Sequence, residues 1–291
     1  MKNNISTMNN KICMVTGATS SIGEVAALEL ARQGATVIVI GRNPEKSTAT
    51  VNKIKQVTGN SKVDFMSADL SSQKDIHQLV QQFQSRYQRL DVLINNAGAL
   101  FLKRKESVDG IEMTLATNYL APFLLTNLLI DTLKAGAPSR IINVSALLHK
   151  RAEMNFNDLQ NKKRYNALRV YPQTKLENIL FTYELARQLE GTGVTVNVLH
   201  PGVIASNLGV NNSRFFASVR RFMNLFLTSP EKGAQTMIYL ASSSEVASVT
   251  GKYFINNKSV LSSKASYDKN AALLLWQMSM ELTGLSNIKQ L

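Results

Sequence analysis

The 291-residue chain carries one cysteine, Cys13, so no disulfide can form within it. That residue sits in the apolar run Ile12-Cys13-Met14-Val15, where a small buried thiol is the plain reading and an intracellular product is expected. Long uninterrupted apolar runs are also missing. The nearest approach, from Leu115 to Leu133, is broken by Asn118, Pro122, Asn127 and Asp131 and reads as a helix packed on a sheet rather than a bilayer span. Residues 1–10 lack the apolar centre of a signal peptide and are expected to form a disordered tail. No Pro/Gly/Ser-rich linker divides the chain and no zinc-ligand spacing occurs, which favours a single domain without a metal site. Acidic residues are scarce, 20 against 33 basic ones, and the net charge of +13 raises the question of a polyanionic partner. Lys103-Arg104-Lys105, Lys162-Lys163-Arg164 and Arg220-Arg221 are short and far apart, without an aromatic RNA-binding signature. A phosphate-bearing cofactor and a solvated surface explain the charge better than nucleic acid does.

A hydrophobic content of 44% is enough for a full core. From Lys11 onward, short β-branched runs alternate with longer helical patterns, as in βαβ units on a parallel sheet covered on both faces. Strands are expected near 12–17, 36–41, 62–68, 91–97, 140–146, 194–200 and 251–256. The fold class is therefore α/β: a doubly wound Rossmann-type parallel sheet of about seven strands, single domain, spanning residues 11–258. Residues 259–291 read as a helical extension in which Leu275, Met278 and Leu282 share a face. Trp276 packs either on the body or beside a substrate mouth.

The first strand runs into Thr16-Gly17-Ala18-Thr19-Ser20-Ser21-Ile22-Gly23, which opens a helix with apolar positions at Ile22, Ala26, Leu30 and Ala31. A strand, a glycine turn and a helix N-terminus together bring backbone N–H groups and a positive dipole end to a pyrophosphate, although an ordinary βα turn looks similar. The second strand ends in Gly41-Arg42. It offers no carboxylate to a ribose 2′-hydroxyl and one guanidinium to a 2′-phosphate, so NADP(H) is expected over NAD; the alternative is a plain surface cation. Asp69 and Leu70 end the third strand, where a carboxylate and an amide suit an adenine edge. Asn96, Ala97 and Gly98 end the fourth and allow close approach of a ligand.

Tyr171-Pro172-Gln173-Thr174-Lys175 places a phenol and an ammonium one helical turn apart. A nearby positive charge favours the phenolate and draws its pKa toward the working range, so the pair can exchange a proton with a substrate oxygen. Alone the pattern is commonplace on solvated helix faces. Its weight comes from the strand-end motifs around it.

Together, TGATSSIG, NNAG, YPQTK and His200-Pro201-Gly202-Val203 resemble the short-chain dehydrogenase/reductase family, and residues 157–203 with SPEKGAQTMIYLA and TGKYF resemble its retinol dehydrogenase group. The resemblance covers about residues 10–258. It implies Tyr171 as general acid/base, Lys175 as the group that holds the nicotinamide ribose and lowers the Tyr171 pKa, and Asn118 as a residue whose backbone carbonyl holds a water of the proton relay. It further implies that Pro201, Gly202, Ile204 and Ser206 meet the carboxamide, with His200 structural rather than catalytic. Two positions depart from the pattern. Ser21 replaces the middle glycine of the turn, where its hydroxyl either adds a bond to phosphate or weakens binding. Ala146 fills the slot of the usual active-site serine, while Ser145 is expected to point away from the site unless the strand twists or bulges. Loss of one such donor costs about 10²–10³ in rate, so activity is expected to persist with another donor or a water in its place.

On the substrate side, Phe215, Val219, Phe222 and Phe226 recur at helical spacing within 207–229, either capping the core or covering an apolar substrate. With Arg214, Arg220 and Arg221 such a helix can also lie on an anionic membrane, giving weak peripheral contact for a cytoplasmic protein. The expected function is NADP(H)-dependent hydride transfer to or from an apolar alcohol, aldehyde or ketone. The alternatives are a cofactor-binding sensor or scaffold weakened by Ala146 and Ser21, and an epimerase or dehydratase of the extended relatives, against which NNAG and the chain length count.

Overall fold

A computed structural model describes residues 8–202 and 228–285. Its centre is one sheet with strand order β3-β2-β1-β4-β5-β6-β7-β8. The strands are β1 (Ile12–Thr16), β2 (Thr36–Gly41), β3 (Val63–Ser67), β4 (Val92–Asn95), β5 (Ser139–Val144), β6 (Val194–His200), β7 (Lys252–Ile255) and β8 (Lys258–Val260). All pairings are parallel except that of β7 with β8. A short eighth strand joins the about seven expected. Asn256 and Asn257 both take positive φ (49° and 61°), as a tight hairpin turn requires, and the three residues that return are exposed and carry no burial pattern to read.

Alternation along the strands builds two apolar layers. Met14, Ile38 and Ile40 face one side, while Cys13, Val15, Val37 and Val39 face the other. The first side is covered by α3 (Gln73–Arg86), α5 (Ala121–Leu128) and α7 (Ala167–Gln188), and the second by α1 (Ser21–Arg32), α2 (Pro44–Thr58) and α8 (Pro230–Ser242). Between β4 and β5, short α4 (Met113–Leu115) continues through a π-helical turn (Ala116–Leu120) into α5, and α6 (Ile130–Ala135) follows. Helix starts follow capping chemistry: Asn43 accepts from the Lys46 amide at 2.8 Å, Asn166 from that of Leu168 at 2.9 Å, and Asp268 from that of Ala271 at 3.0 Å.

The last helix, α9 (Lys269–Leu282), lies against α7. Trp276 packs on the body: its ring centroid is 5.0 Å from that of Phe123, edge-on, and 5.8 Å from that of Phe181. Tyr119 and Ser279 share a buried hydroxyl bond of 2.7 Å. Toward the other terminus, Met8 is 5% exposed and its amide donates to Gln33, so a residue of the stretch expected to be a tail packs on the body. The segment 207–227, with its phenylalanines and arginines, lies outside the described residues. Among those described, no helix is long and apolar enough to cross a membrane, and no His/Cys/Asp/Glu group could hold a metal ion. Trp276→Ala should remove about 3 kcal/mol of stability, the low end for an aromatic truncation because the ring is only partly buried. Denaturant unfolding followed by circular dichroism checks this as a lower midpoint with an unchanged slope.

Candidate active site

The C-terminal ends of β1, β2, β4, β5 and β6 converge on one crevice, where the chain leaves each strand and turns away. At the first end, Thr16 Oγ1 donates to Ile94 O at 3.2 Å and accepts from the Asn96 and Ala97 amides at 2.9 and 3.0 Å. The Asn96 side chain returns to Thr16 O at 2.8 Å. These bonds lock the glycine turn to the NNAG turn. Gly17 (φ +64°) leaves no room for a side chain, since a Cβ there would lie 2.9 Å from Ala97 Cα; a Cβ at Gly23 would lie 2.4 Å from the Asn96 amide nitrogen.

Ser21 takes φ +54°, the backbone its glycine-like position demands, at a cost a glycine would not carry. Its Oγ is sealed from solvent with no protein partner. An orphaned hydroxyl in a turn that exposes helix amides fits a phosphate-bearing group. Thr19 lies over Gly41, its methyl 2.5 Å from where a Cβ would stand. Ser20, Arg42 and Lys46 are exposed, Ile22 is half-buried, and α2 opens two residues beyond Arg42. Asp69 is engaged locally: its carboxylate accepts from the Ser71 amide and hydroxyl at 3.0 and 2.7 Å, and its amide donates to Asp75. Leu70 is half-buried beside it.

Tyr171 and Lys175 stand one turn apart on α7, with Lys175 Nζ 5.4 Å from the Tyr171 ring centroid. The α7 interior contains Pro172, but the carbonyl it leaves without a donor belongs to Leu168 in the exposed first turn. Lys175 is 4% exposed and donates to Val144 O at 3.1 Å; a Cβ on Gly98 would lie 3.7 Å from its Nζ. Burial lowers the Lys175 amine to about 8 and raises the Tyr171 phenol to about 12. This corrects the expected lowering of Tyr171: within the protein alone, shielding from water sets the direction.

Asn118 sits in the π-helical turn, 1% exposed. Its side chain clasps the backbone of Ala99, accepting from N at 2.7 Å and donating to O at 2.9 Å. Its carbonyl, expected to hold a water, accepts from Asn178 Nδ2 at 2.7 Å, and the same amide reaches Thr174 O at 2.9 Å. A carbonyl has two lone pairs, so one remains. Asn178 was not singled out from the sequence, though Tyr171, Lys175, Asn178 and Thr182 form a polar stripe at helical spacing in an otherwise buried helix.

Ser145 keeps the strand register, its amide donating to Leu199 O at 2.8 Å, and its hydroxyl donates to Lys175 O at 2.7 Å. Without a bulge its side chain faces α7, and its hydroxyl is spent on that helix's backbone. Ala146 follows as half-buried backbone in the extended region. Pro201 and Gly202 (φ +90°) are half-buried at the end of β6, and Thr228 lies against Gly202; Ile204 and Ser206 lie outside the described residues.

The family described as short chain dehydrogenase matches residues 11–215. The chain belongs to the short-chain dehydrogenase/reductase family, in its retinol dehydrogenase-like group. Human retinol dehydrogenase 13 is 42% identical, with 96% of this chain and 86% of that protein covered. Human polyprenol dehydrogenase is 41% identical over 96% and 87%. Among solved structures, a Mycobacterium paratuberculosis protein superposes with a TM-score of 0.79 at 29% identity over 97% and 96% of the two chains. The Pseudomonas aeruginosa RhlG/NADP complex gives 0.68 at 25% identity over 86% and 96%. Membership makes this chain an oxidoreductase that uses a nicotinamide cofactor and a small alcohol or carbonyl substrate.

Below Lys175, Glu177 is fully buried, with Oε1 accepting from Gln173 at 2.9 Å and Oε2 unpartnered. Burial, opposed by the Gln173 bond and reinforced by Glu112, raises its carboxyl to about 8. The folded chain therefore holds a proton that the unfolded chain releases near its ordinary 4.5, and stability falls as pH rises from about 4.5 to 8. Glu177→Gln cannot ionise and should lose less stability than the parent across that interval, read as denaturant midpoints at about pH 5, 6.5 and 8.

Proposed function

We propose that this chain is an NADP(H)-dependent oxidoreductase that reduces an apolar aldehyde or ketone to its alcohol, with Tyr171 as the proton donor. The observation that carries the reading is the Tyr171/Lys175 pair, one turn apart beside Gly98 and the end of β5. The nicotinamide, when bound, supplies or takes up the hydride and carries a positive charge in its oxidised form. The chain's own residues do the rest. Gly17, Thr19, Ser20, Ser21, Ile22 and Gly23 would hold the pyrophosphate, and Asn96, Ala97, Gly98, Pro201, Gly202, Ile204 and Ser206 the remainder of the dinucleotide, with Asp69 and Leu70 at the adenine.

Tyr171, its phenol pushed up to about 12, carries its proton throughout the neutral range, and it gives that proton to a substrate oxygen with the help of the charge beside it. Lys175 is mostly an ammonium at neutral pH, since its lowered value still lies near 8. It supplies the positive charge that stabilises the phenolate left behind. Asn118 holds the loop over Gly98 in place and keeps one carbonyl lone pair for a relay water. Support for an apolar substrate comes from Leu147 and Leu148, each 44% exposed directly after Ala146, and from Leu168, one turn before Tyr171. The names of the retinol and polyprenol dehydrogenase relatives agree with that choice.

Support for NADP(H) is the exposed guanidinium of Arg42 at the start of α2, beside a Gly41 that admits no acidic side chain. Tyr171→Phe should lower kcat with all-trans-retinal or decanal by about 10²–10⁴ while NADPH still binds. Stopped-flow absorbance of NADPH against substrate checks it, and an unchanged rate would remove the proton-donor role. Arg42→Ala should weaken NADPH binding roughly ten- to hundredfold and leave NADH binding nearly unchanged, measured by cofactor fluorescence titration.

A further inference from the structure

Ala146 carries no hydroxyl, and that of Ser145 is committed to the Lys175 carbonyl at 2.7 Å. The peptide joining Ala146 to Leu147 is held from both sides by imidazoles. His149 Nδ1 meets Ala146 O at 2.8 Å, and the Leu147 amide donates to His200 Nδ1 at 3.3 Å. The first ring is fully used, because its Nε2 accepts from the Ser263 amide at 3.1 Å. The second is not. With Nδ1 acting as acceptor, the proton of a neutral His200 ring must sit on Nε2, and among the described residues no acceptor meets it.

Position and charge both suit a donor. Val144 pairs with Leu199 in parallel register, so Ser145 and His200 are the next neighbours across β5 and β6 and share a face of the sheet. Ser145 reaches α7 from that face, so His200 is on the side that carries Tyr171 and Lys175. It is also the last residue of β6, immediately before Pro201-Gly202, and is 8% exposed. Burial, with His149 alongside, lowers its pKa to about 4, so the ring stays neutral through the working range. The titratable group beside it is His149.

We propose that His200 takes the place of the missing serine, its Nε2–H donating a hydrogen bond to the substrate oxygen while Tyr171 protonates that oxygen. The assignment rests on the oxidoreductase reading above and departs from the structural role read for His200 in the sequence. In reduction, hydride from the nicotinamide forms the new C–H bond at the carbonyl carbon, the C=O π pair moves onto oxygen, and the Tyr171 proton completes the alcohol. NADPH is oxidised, the carbonyl is reduced, and His200 keeps its own proton. A neutral imidazole can act in this way because it stabilises growing negative charge without itself ionising.

The test crosses His200→Phe with Ala146→Ser, using NADPH with all-trans-retinal or decanal. In the Ala146 background His200→Phe should lower kcat about 10²-fold or more, with NADPH affinity and Tm close to the parent. In the Ala146→Ser background the same change should cost less than about tenfold, because the restored hydroxyl replaces the donor. His200→Gln keeps an acceptor for Leu147 and an N–H donor and should hold kcat within about tenfold of the parent, which tests the idea even if the phenylalanine variant is unstable. Equal losses in both backgrounds, an unchanged kcat in His200→Phe, or a His200→Gln as slow as His200→Phe would each overturn the assignment. A parent that turns over nothing while Ala146→Ser does would overturn it and leave the oxidoreductase reading standing. If neither turns over while both bind NADPH, that reading fails and the assignment with it.

Discussion

A lysine ammonium almost wholly withdrawn from water must be given acceptors, because an unpaired buried charge costs several kcal/mol. Lys175 meets this requirement through the Val144 carbonyl, with the face of Tyr171 beside it. The neighbouring Ser145 returns a bond to the carbonyl of Lys175 itself. The end of β5 and the third turn of α7 are therefore tied in both directions, side chain to backbone each way. Once that tie is made, the place of Tyr171 follows from helix geometry alone.

The opposite wall is fastened in the same manner. Asn178, on α7, holds the carbonyl of Asn118, and the side chain of Asn118 holds both backbone groups of Ala99. In a regular helix the donor to that carbonyl would be residue 122, and Pro122 has no N–H to give, so the carbonyl is free for a partner on another element. Thr16 joins the turns after β1 and β4. Side-chain bonds to backbone thus hold the rim of the crevice, as a site needing sub-ångström placement requires.

Much of this was legible beforehand. Seven strands stood out because buried parallel strands are runs of Val, Ile and Leu; the eighth did not, because Lys258–Val260 is exposed on both faces at the sheet edge. Strand-end motifs located the crevice, since open α/β sheets gather ligand-facing residues there. What could not be read was which way polar groups turn once water is excluded. The rise in the Tyr171 pKa depends on burial contributed by several elements, and a neighbouring lysine in the sequence points the other way. The π turn leaves no mark either, as 116–120 has the same composition as ordinary helix. His149 lies in a short, otherwise exposed 3₁₀ segment, yet is fully buried because Ser263, from beyond β8, folds back onto it.

The crowding at Gly41 constrains how this chain could change. A Cβ there would stand 2.5 Å from the Thr19 methyl and 2.7 Å from the Ser47 hydroxyl, which is itself anchored on Asn43 O. A carboxylate introduced at position 41 would therefore displace the first turn of α2 or the glycine loop before it touched any ribose. Placing an acidic side chain at this strand end is therefore a coupled problem of at least two positions, with Thr19 having to shrink first, so no single substitution at Gly41 opens that route.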